Sequence, residues 1–427
     1  MFDKLREIWQ TPDLRKSLLF VVLMLGIFRL AAHIPIPGVD ALALRNFFSS
    51  NQFLGFLNLL SGGGLENFSI VMLGVGPYIT ASIIVQLLTM IVPRLEEISK
   101  EGEAGQHKIN QYTRILTVPL AVLQAYSFIA ILRNAGSGKI VGALGGFDLV
   151  LSLLTITAGT VFLMWLGEII SERKIGNGIS LLIFAGIIAG LPQQIQQIAV
   201  TTTDASQIFN IILFVAVVLI TVVSVVVVNE AQRNIPVQYA RMIHGPRTSG
   251  GASTHLPLRL LQAGVIPIIF AISVIFFPPL IAQFLVKSGA VWLQSVGQWV
   301  INVFQPTHPL YSILYFILVF GFTYFYTAVV FKPEQIAENL QKQGGFIPGI
   351  RPGRTTVEFL SQTMNRVVLP GAVFLSLIAV MPMLLQNATG SQLLVIGGTS
   401  VLIVVSVVIE TIRQINAQLV MRDYDEL

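Results

Sequence analysis

Residue types able to do bond chemistry are sparse in this 427-residue chain. Gly136-Ser137-Gly138-Lys139 comes nearest to a phosphate-binding loop. It lacks the leading glycine that lets backbone amides cradle a phosphate, and the hydroxyl residue after lysine that would hold magnesium. It reads as a turn. The five histidines are scattered over loops and span edges without a metal-ligating pair. Cysteine is absent, which removes disulfide and thiolate chemistry. Asn387-Ala388-Thr389 matches a glycosylation sequon, a three-residue pattern that acts only in a secretory compartment. No catalytic residue, metal or cofactor is expected. Three ionisable residues lie in apolar runs: Arg29, Glu168 and Glu410. Each falls near a span end, where a long side chain reaches the headgroups or a partner, and together they make no midplane proton relay. Arg29 is expected to extend toward the outer interface.

What stands out instead is backbone chemistry. In SGGGLENFSIVMLGVGPYITASIIVQLLTMIVP, from Ser61 to Pro93, a good apolar helix is preceded by three glycines and a glutamate, then broken by Gly74, Gly76 and Pro77. In a helix glycine costs about 1 kcal/mol and proline about 3 kcal/mol relative to alanine, so a plain anchor gains nothing from them.

The elements that carry this segment follow from composition. With 54% hydrophobic and 11% charged residues, the chain is a polytopic membrane protein. Apolar runs long enough to cross a hydrocarbon core recur, and we read ten spans: 18–34, 74–92, 115–133, 149–170, 178–192, 210–228, 260–285, 310–331, 367–386 and 393–411. Continuous runs such as ITVVSVVVV exclude the alternation of a barrel, which leaves helices. Basic residues gather at the N-terminal segment and in every second loop: Arg94 to Arg114, Arg173 and Lys174, Arg233 to Arg259, Lys332 to Arg366, then Arg413 and Arg422. By the positive-inside rule these are cytoplasmic, as are both termini. No cleavable signal peptide is expected. The net charge of +5 is concentrated on this face and favours anionic lipid, nucleic acid or an acidic partner there.

Two loops on that face exceed what connection requires. Residues 229–259 carry a Gly/Ser-rich tip beside Arg241 and Arg247, and residues 332–365 hold a proline-bracketed turn presenting Arg351, with Arg354 close by. Both read as docking arms or as mobile linkers. Ten spans divide five and five, and in an inverted repeat the second span corresponds to the seventh, which is itself interrupted by Gly264, Pro267, Pro278 and Pro279. Paired interruptions mark a pathway, since irregular backbone is tolerated in a membrane where it lines a cavity or packs in protein. A small-solute transporter and a channel with a movable barrier both fit. The apolar character of the interrupted spans favours a hydrophobic constriction.

The chain resembles the SecY family, the central subunit of the bacterial protein-conducting translocon, along its whole length. The resemblance rests on EGEAGQHKINQYTR (101–114), FLMWLGEIISERKIGNGISLLIFAGIIAGLP (162–192), STHLPL (253–258), AGVIPIIFA (263–271), FIPGIRPG (346–353) and GGTSVLIVV (397–405). It implies an all-α fold of two pseudo-symmetric five-helix halves around an hourglass pore, 1–192 and 210–427, hinged at an outer loop over 193–209. It implies a plug half-helix at about 62–71, involving Gly62, Gly63, Gly64, Glu66, Asn67 and Phe68, with Glu66 and Asn67 facing water in the outer funnel. Matching motif by motif, the pore ring falls on Val75, Ile79, Ile183, Ile269 and Ile403, with valine where the family often has isoleucine. Thr80 and Phe277 match facing positions of a lateral gate. The implied function is passage of unfolded secretory polypeptides across the cytoplasmic (inner) membrane and lateral release of transmembrane segments. The implied partners are SecE-type and SecG-type subunits, the SecA motor ATPase, the ribosome, signal sequences with their nascent polypeptides, and anionic lipids. Arg241, Arg247, Arg351 and Arg354 are the expected docking cations.

Overall fold

A computed structural model describes residues 9–37, 39–40, 43–44, 58, 61–134, 145–201, 205–239, 242–244, 247–249, 253–262, 264, 266–275, 277–286, 290–305, 308–389 and 393–425. The apolar runs are helical, because a backbone in lipid must bond within its own segment. The N-terminal half holds α1 (Pro12–Ala31), α2 (Gly76–Ile91), the short α3 (Pro93–Lys100), α4 (Glu103–Asn134), α5 (Gly146–Glu172) and α6 (Gly178–Thr201). The C-terminal half begins with α7 (Ala205–Glu230) and four strands, β1 (Gln232–Tyr239), β2 (Met242–His244), β3 (Arg247–Ser249) and β4 (Ser253–Arg259). It continues with α8 (Ile266–Ile275), α9 (Phe277–Val286), α10 (Val291–Val303), α11 (Pro309–Val330), α12 (Pro333–Lys342), β5 (Gly345–Phe346), α13 (Arg354–Thr389) and α14 (Leu393–Asp425).

Ten of these elements, counting α8 with α9 as one, cover the ten expected spans. Among the described residues five helices are individually long and apolar enough to cross a membrane, and a sixth span follows if α2 and α3, bent by 101° at Val92, are taken together. Several helices outrun the expected spans, α13 by a full three turns at its start, because their polar ends continue into water. Residues 193–209, expected as a loop, are largely helical: α6 runs to Thr201 and α7 starts at Ala205. The stretch QQIQQIAVT after Pro192 consists mostly of good helix formers, so α6 continues where the apolar run stops.

The halves meet chiefly where α2 packs on α8 and α6 packs on α14. Within a half, small residues allow close approach. At Gly178, the first residue of α6, an added Cβ would lie 1.9 Å from the Gly167 carbonyl oxygen of α5.

The two long loops on the basic face are not separate arms. β1 pairs antiparallel with β4 from Gln232↔Arg259 to Gln238↔Ser253, and β5, from the other loop, joins the free edge of β1 at Tyr239↔Gly345. Ile235, Val237 and Leu258 from this sheet bury against Phe331, Leu360 and Met364. The alternation in β1 of buried Ile235 and Val237 with exposed neighbours is the period-two signal of a half-buried strand. β2 and β3 form a tight hairpin at the tip.

The close contact at Gly178 yields a prediction. Gly178→Ala should destabilise the detergent-solubilised protein by about 1–3 kcal/mol through overpacking. Gly26→Ala on α1, where an added Cβ meets nothing within 4 Å, should be neutral or stabilising. Thermal unfolding of the two variants checks this; equal midpoints would contradict the α5–α6 contact.

Candidate functional site

Between Ser61 and Val75 the chain crosses the bundle interior as successive turns, not as the half-helix expected over 62–71. Gly62 (φ 70°), Gly63 (φ 80°) and Phe68 (φ 44°) are left-handed, which no right-handed helix accommodates. Local turn bonds, such as that from the Ser69 amide to the Gly64 carbonyl (2.9 Å), are joined by two long-range ones. The Ile36 amide donates to the Phe68 carbonyl (2.9 Å) and the Ile70 amide to the Ile34 carbonyl (3.1 Å), forming a bridge between Pro35 and Ser69.

Side chains fix the same segment. Arg29, from the last turn of α1, donates a guanidinium N–H to the Gly62 carbonyl instead of extending toward an interface. Gly62 is obligatory here: a Cβ would meet the Phe28 ring at 2.7 Å and Gly186 Cα at 3.2 Å. Glu66 is not free in a funnel. Its carboxylate accepts from Asn58 Nδ2 (2.9 Å), and its amide donates to Asn58 Oδ1 (2.8 Å). Asn67 is half-buried. Leu65, Phe68 and Met72 form a small core with Phe128, Ile129 and Leu132 of α4 and Ile156 of α5. Gly159 of α5 passes so near that a Cβ would lie 1.9 Å from the Ile70 carbonyl oxygen.

This segment caps a cavity of about 90 Å³ on one side, with Ser61, Leu65 and Met72 in its wall. Val75, Ile79, Ile183 and Ile269 line the same cavity, together with Thr80 and Phe277. Four of the five expected ring residues and both expected gate residues thus share one space. Ile403 does not line it, but is packed into the same apolar core as the other four, and none of the five is more than 7% exposed. Val75 precedes α2 and its carbonyl accepts from the Ile79 amide (3.0 Å), so the two side chains stack on one face.

A second, polar cavity of about 520 Å³ lies toward the sheet end, lined by Lys174, Arg259, Tyr326, Ser406, Glu410 and Arg413 among others. Ile266 and Ser406 face it, each three residues from the ring positions Ile269 and Ile403. Three helical residues rise only about 4.5 Å, so along α8 the two spaces are separated by about one helical turn.

Four acidic or basic side chains, Lys174, Arg259, Glu410 and Arg413, line the second cavity. Arg413 Nη2 contacts Glu230 Oε1 at 2.8 Å and also donates to the Asn229 carbonyl. Burial, then the neighbouring Arg413 charge, lowers the pKa of the Arg259 guanidinium, which stays protonated at any physiological pH. Glu168, half-exposed at the end of α5, pairs with Arg114 at 2.7 Å. Of the expected docking cations, Arg351 is exposed on the turn between β5 and α13, and Arg354, 92% exposed, pairs with Glu358 at 3.3 Å. Arg247 lies on β3, and Arg241 falls outside the described residues. Among the described residues no three metal-ligating side chains come together.

The family model for SecY matches residues 69–412. The chain belongs to the SecY family. The protein translocase subunit SecY of Streptomyces galbus is 46% identical over 437 residues, covering 100% of this chain and 99% of the relative. SecY of Halalkalibacterium halodurans is 44% identical, with 99% of each chain covered. Among solved structures, one described as a protein conducting channel shares the fold at a TM-score of 0.62 and 20% identity, over 94% of this chain and 91% of its own. Another, concerned with the plug domain of the SecY protein, does so at a TM-score of 0.60 and 19% identity over the same shares. The architecture of two five-helix halves around a central constriction is therefore that of SecY.

Arg29 was the residue whose place sequence reasoning missed; only its position within an apolar span hinted at an interior partner. A hydrogen bond to a charged group contributes about 1.5–3 kcal/mol. In Arg29→Gln, amides within 61–70 should therefore exchange with deuterium roughly tenfold faster or more, while those of α11 keep their protection. Unchanged exchange at 61–70 would remove Arg29 from the set of groups that hold this segment.

Proposed function

We propose that this SecY family member is the protein-conducting channel of a translocase. The observation that carries the reading is the buried aliphatic cluster to which α2 and α6 of one half and α8 and α14 of the other contribute, with one cavity against it and a polar cavity toward the sheet. Val75, Ile79, Ile183, Ile269 and Ile403 act as the pore ring. Branched aliphatic groups close around a passing chain yet offer it no hydrogen bond, and the narrow apolar layer excludes ions by dewetting. Residues 61–75 act as the plug, held from α1 and leaning on α4 and α5.

Thr80 on α2 and Phe277 at the start of α9 line the same cavity, and we take the seam between α2 and the α8–α9 pair as the lateral gate. A segment that parts it exchanges water for lipid and gains about 25 cal/mol per Å² of apolar surface removed from water. Sorting is then a partition: apolar segments leave sideways, polar ones pass the ring. The halves rock about the connection within 193–209. The channel sits in the bacterial inner membrane with both termini in the cytoplasm, supported by the distribution of basic residues.

The chain conducts, and an external agent supplies the energy. The sheet end, with exposed Arg351 and Arg354 and the hairpin bearing Arg247, receives the SecA motor or a translating ribosome. A structural relative, Sec61 in the canine ribosome-channel complex, shares the fold at a TM-score of 0.58. Arg241 completes this docking set, small subunits of the SecE and SecG type flank the bundle, and anionic lipid surrounds the basic face.

A photocrosslinker at Ile79 should capture a stalled secretory chain, and failure to do so would argue for a small-solute path. Ile269→Asn and Ile403→Asn should raise resting ion conductance across a planar bilayer and admit precursors with defective signals, because a polar group lowers the cost of wetting. Unchanged conductance in both variants would remove the ring assignment.

The cysteine-free chain also permits a clean test of the seam. Thr80→Cys with Phe277→Cys should form a disulfide under mild oxidation if their Cα atoms approach within about 7 Å. That link should block clients whose signal must intercalate, with recovery on reduction. Full transport by the demonstrably linked protein would rule out a gate there.

A further inference from the structure

At the end of the bundle opposite the sheet, α10 lies between α9 and α11 and is too short, at 13 residues, to cross a membrane. It carries no charged residue, and two of the four tryptophans of the chain fall on it. Its orientation is fixed by packing on α9. Gly297 is buried, and a Cβ there would lie 2.8 Å from the Ala282 carbonyl oxygen and 2.8 Å from Val286 Cγ2. Leu293, Val300 and Ile301 lie on the same flank and are partly covered.

With that flank anchored, the remaining surface divides in two. Ser295, Gln298 and Asn302 form an exposed polar face, since successive residues step by about 100° around the axis. Trp292 (67% exposed), Val296 (45%) and Trp299 (62%) form a separate apolar face between the polar face and the anchored flank. Exposed apolar side chains continue on the neighbouring helices: Ile281 on α9, and Leu310, Ile313 and Ile317 on α11. In a multi-pass membrane protein that belt meets acyl chains, and α10 lies at its edge.

We propose that α10 is an interfacial anchor, lying in the plane of the membrane with Trp292, Val296 and Trp299 in the headgroup–acyl boundary and its polar face in water. Tryptophan suits that depth because its ring is apolar while its indole N–H can donate to headgroups or water. The absence of charge removes any need for a particular lipid headgroup, so the occupant is the bilayer boundary itself. Because α10 follows directly on α9, the anchor ties the helix that bears Phe277 to the lipid surface.

The test uses single cysteines at Val296 and Trp299 on the apolar face and at Ser295 and Gln298 on the polar face. Each carries a nitroxide in the channel complex purified with its native subunits and reconstituted into liposomes. Collision with oxygen reports lipid, and collision with a water-soluble nickel chelate reports solvent. The oxygen-to-nickel accessibility ratio should be severalfold higher at 296 and 299 than at 295 and 298. Equal ratios at all four sites, dominated by nickel, would place the whole helix in water. Immobile labels at 296 and 299, inaccessible to both reagents, would show that another protein covers the face. Either result overturns the proposal.

Discussion

The fifteen-residue stretch 61–75 runs through a helical bundle without being helical, so its amides and carbonyls need partners that a helix would have supplied internally. Local turn bonds, such as that from the Ser69 amide to the Gly64 carbonyl, supply many of them, and others come from residues 34–36 after α1, the Arg29 guanidinium and nearby Asn58. Much of the local arrangement follows from this requirement. α1 must end beside the segment, Gly159 must leave room for the Ile70 carbonyl, and Gly62 must stay bare under the Phe28 ring. If it is the stopper proposed above, a segment held by a handful of polar contacts and one small core can leave its seat at far lower cost than a spanning helix could leave the bundle.

The aliphatic layer below it depends on the same seating. Val75 sits where the turns end and α2 begins, so the conformation of the segment sets the position of the first side chain of the proposed ring. Polar groups are kept to either side. Ser61 lines the smaller cavity, while Lys174, Arg259, Glu410 and Arg413 line the larger one toward the sheet. In the proposed channel such an apolar neck between the two cavities would resist ions through the cost of wetting it.

The sheet joins Tyr239 to Gly345, more than 100 residues apart, and this bears on how a push at the basic face would reach the halves. β1 and β4 extend α7 and lead into α8; β5 leads into α13. Their shared core with Phe331, Leu360 and Met364 makes the proposed docking surface part of the C-terminal half. In that proposal a force on Arg351 would act on the C-terminal half.

Much of this was legible in the residues themselves. Lipid imposes its demand on each segment locally, so continuous apolar runs located all ten spans, and the clustering of Gly74, Gly76 and Pro77 marked the break before α2. The ring positions carried no local signal, since isoleucine is everywhere in such a chain; family resemblance selected them, and four of the five proved to line one cavity. What tertiary structure alone decided were the long-range pairings. Turns stand at 61–75 where a half-helix was expected, and packing brought residues 34–36, more than 30 positions earlier, within hydrogen-bond reach of Phe68 and Ile70. Arg29 turned inward to Gly62 for the same reason, and β5 found β1 across 106 residues, from Tyr239 to Gly345. Solvation by lipid is a property of a segment and can be read along the chain. A bond between distant segments exists only once packing has brought them together.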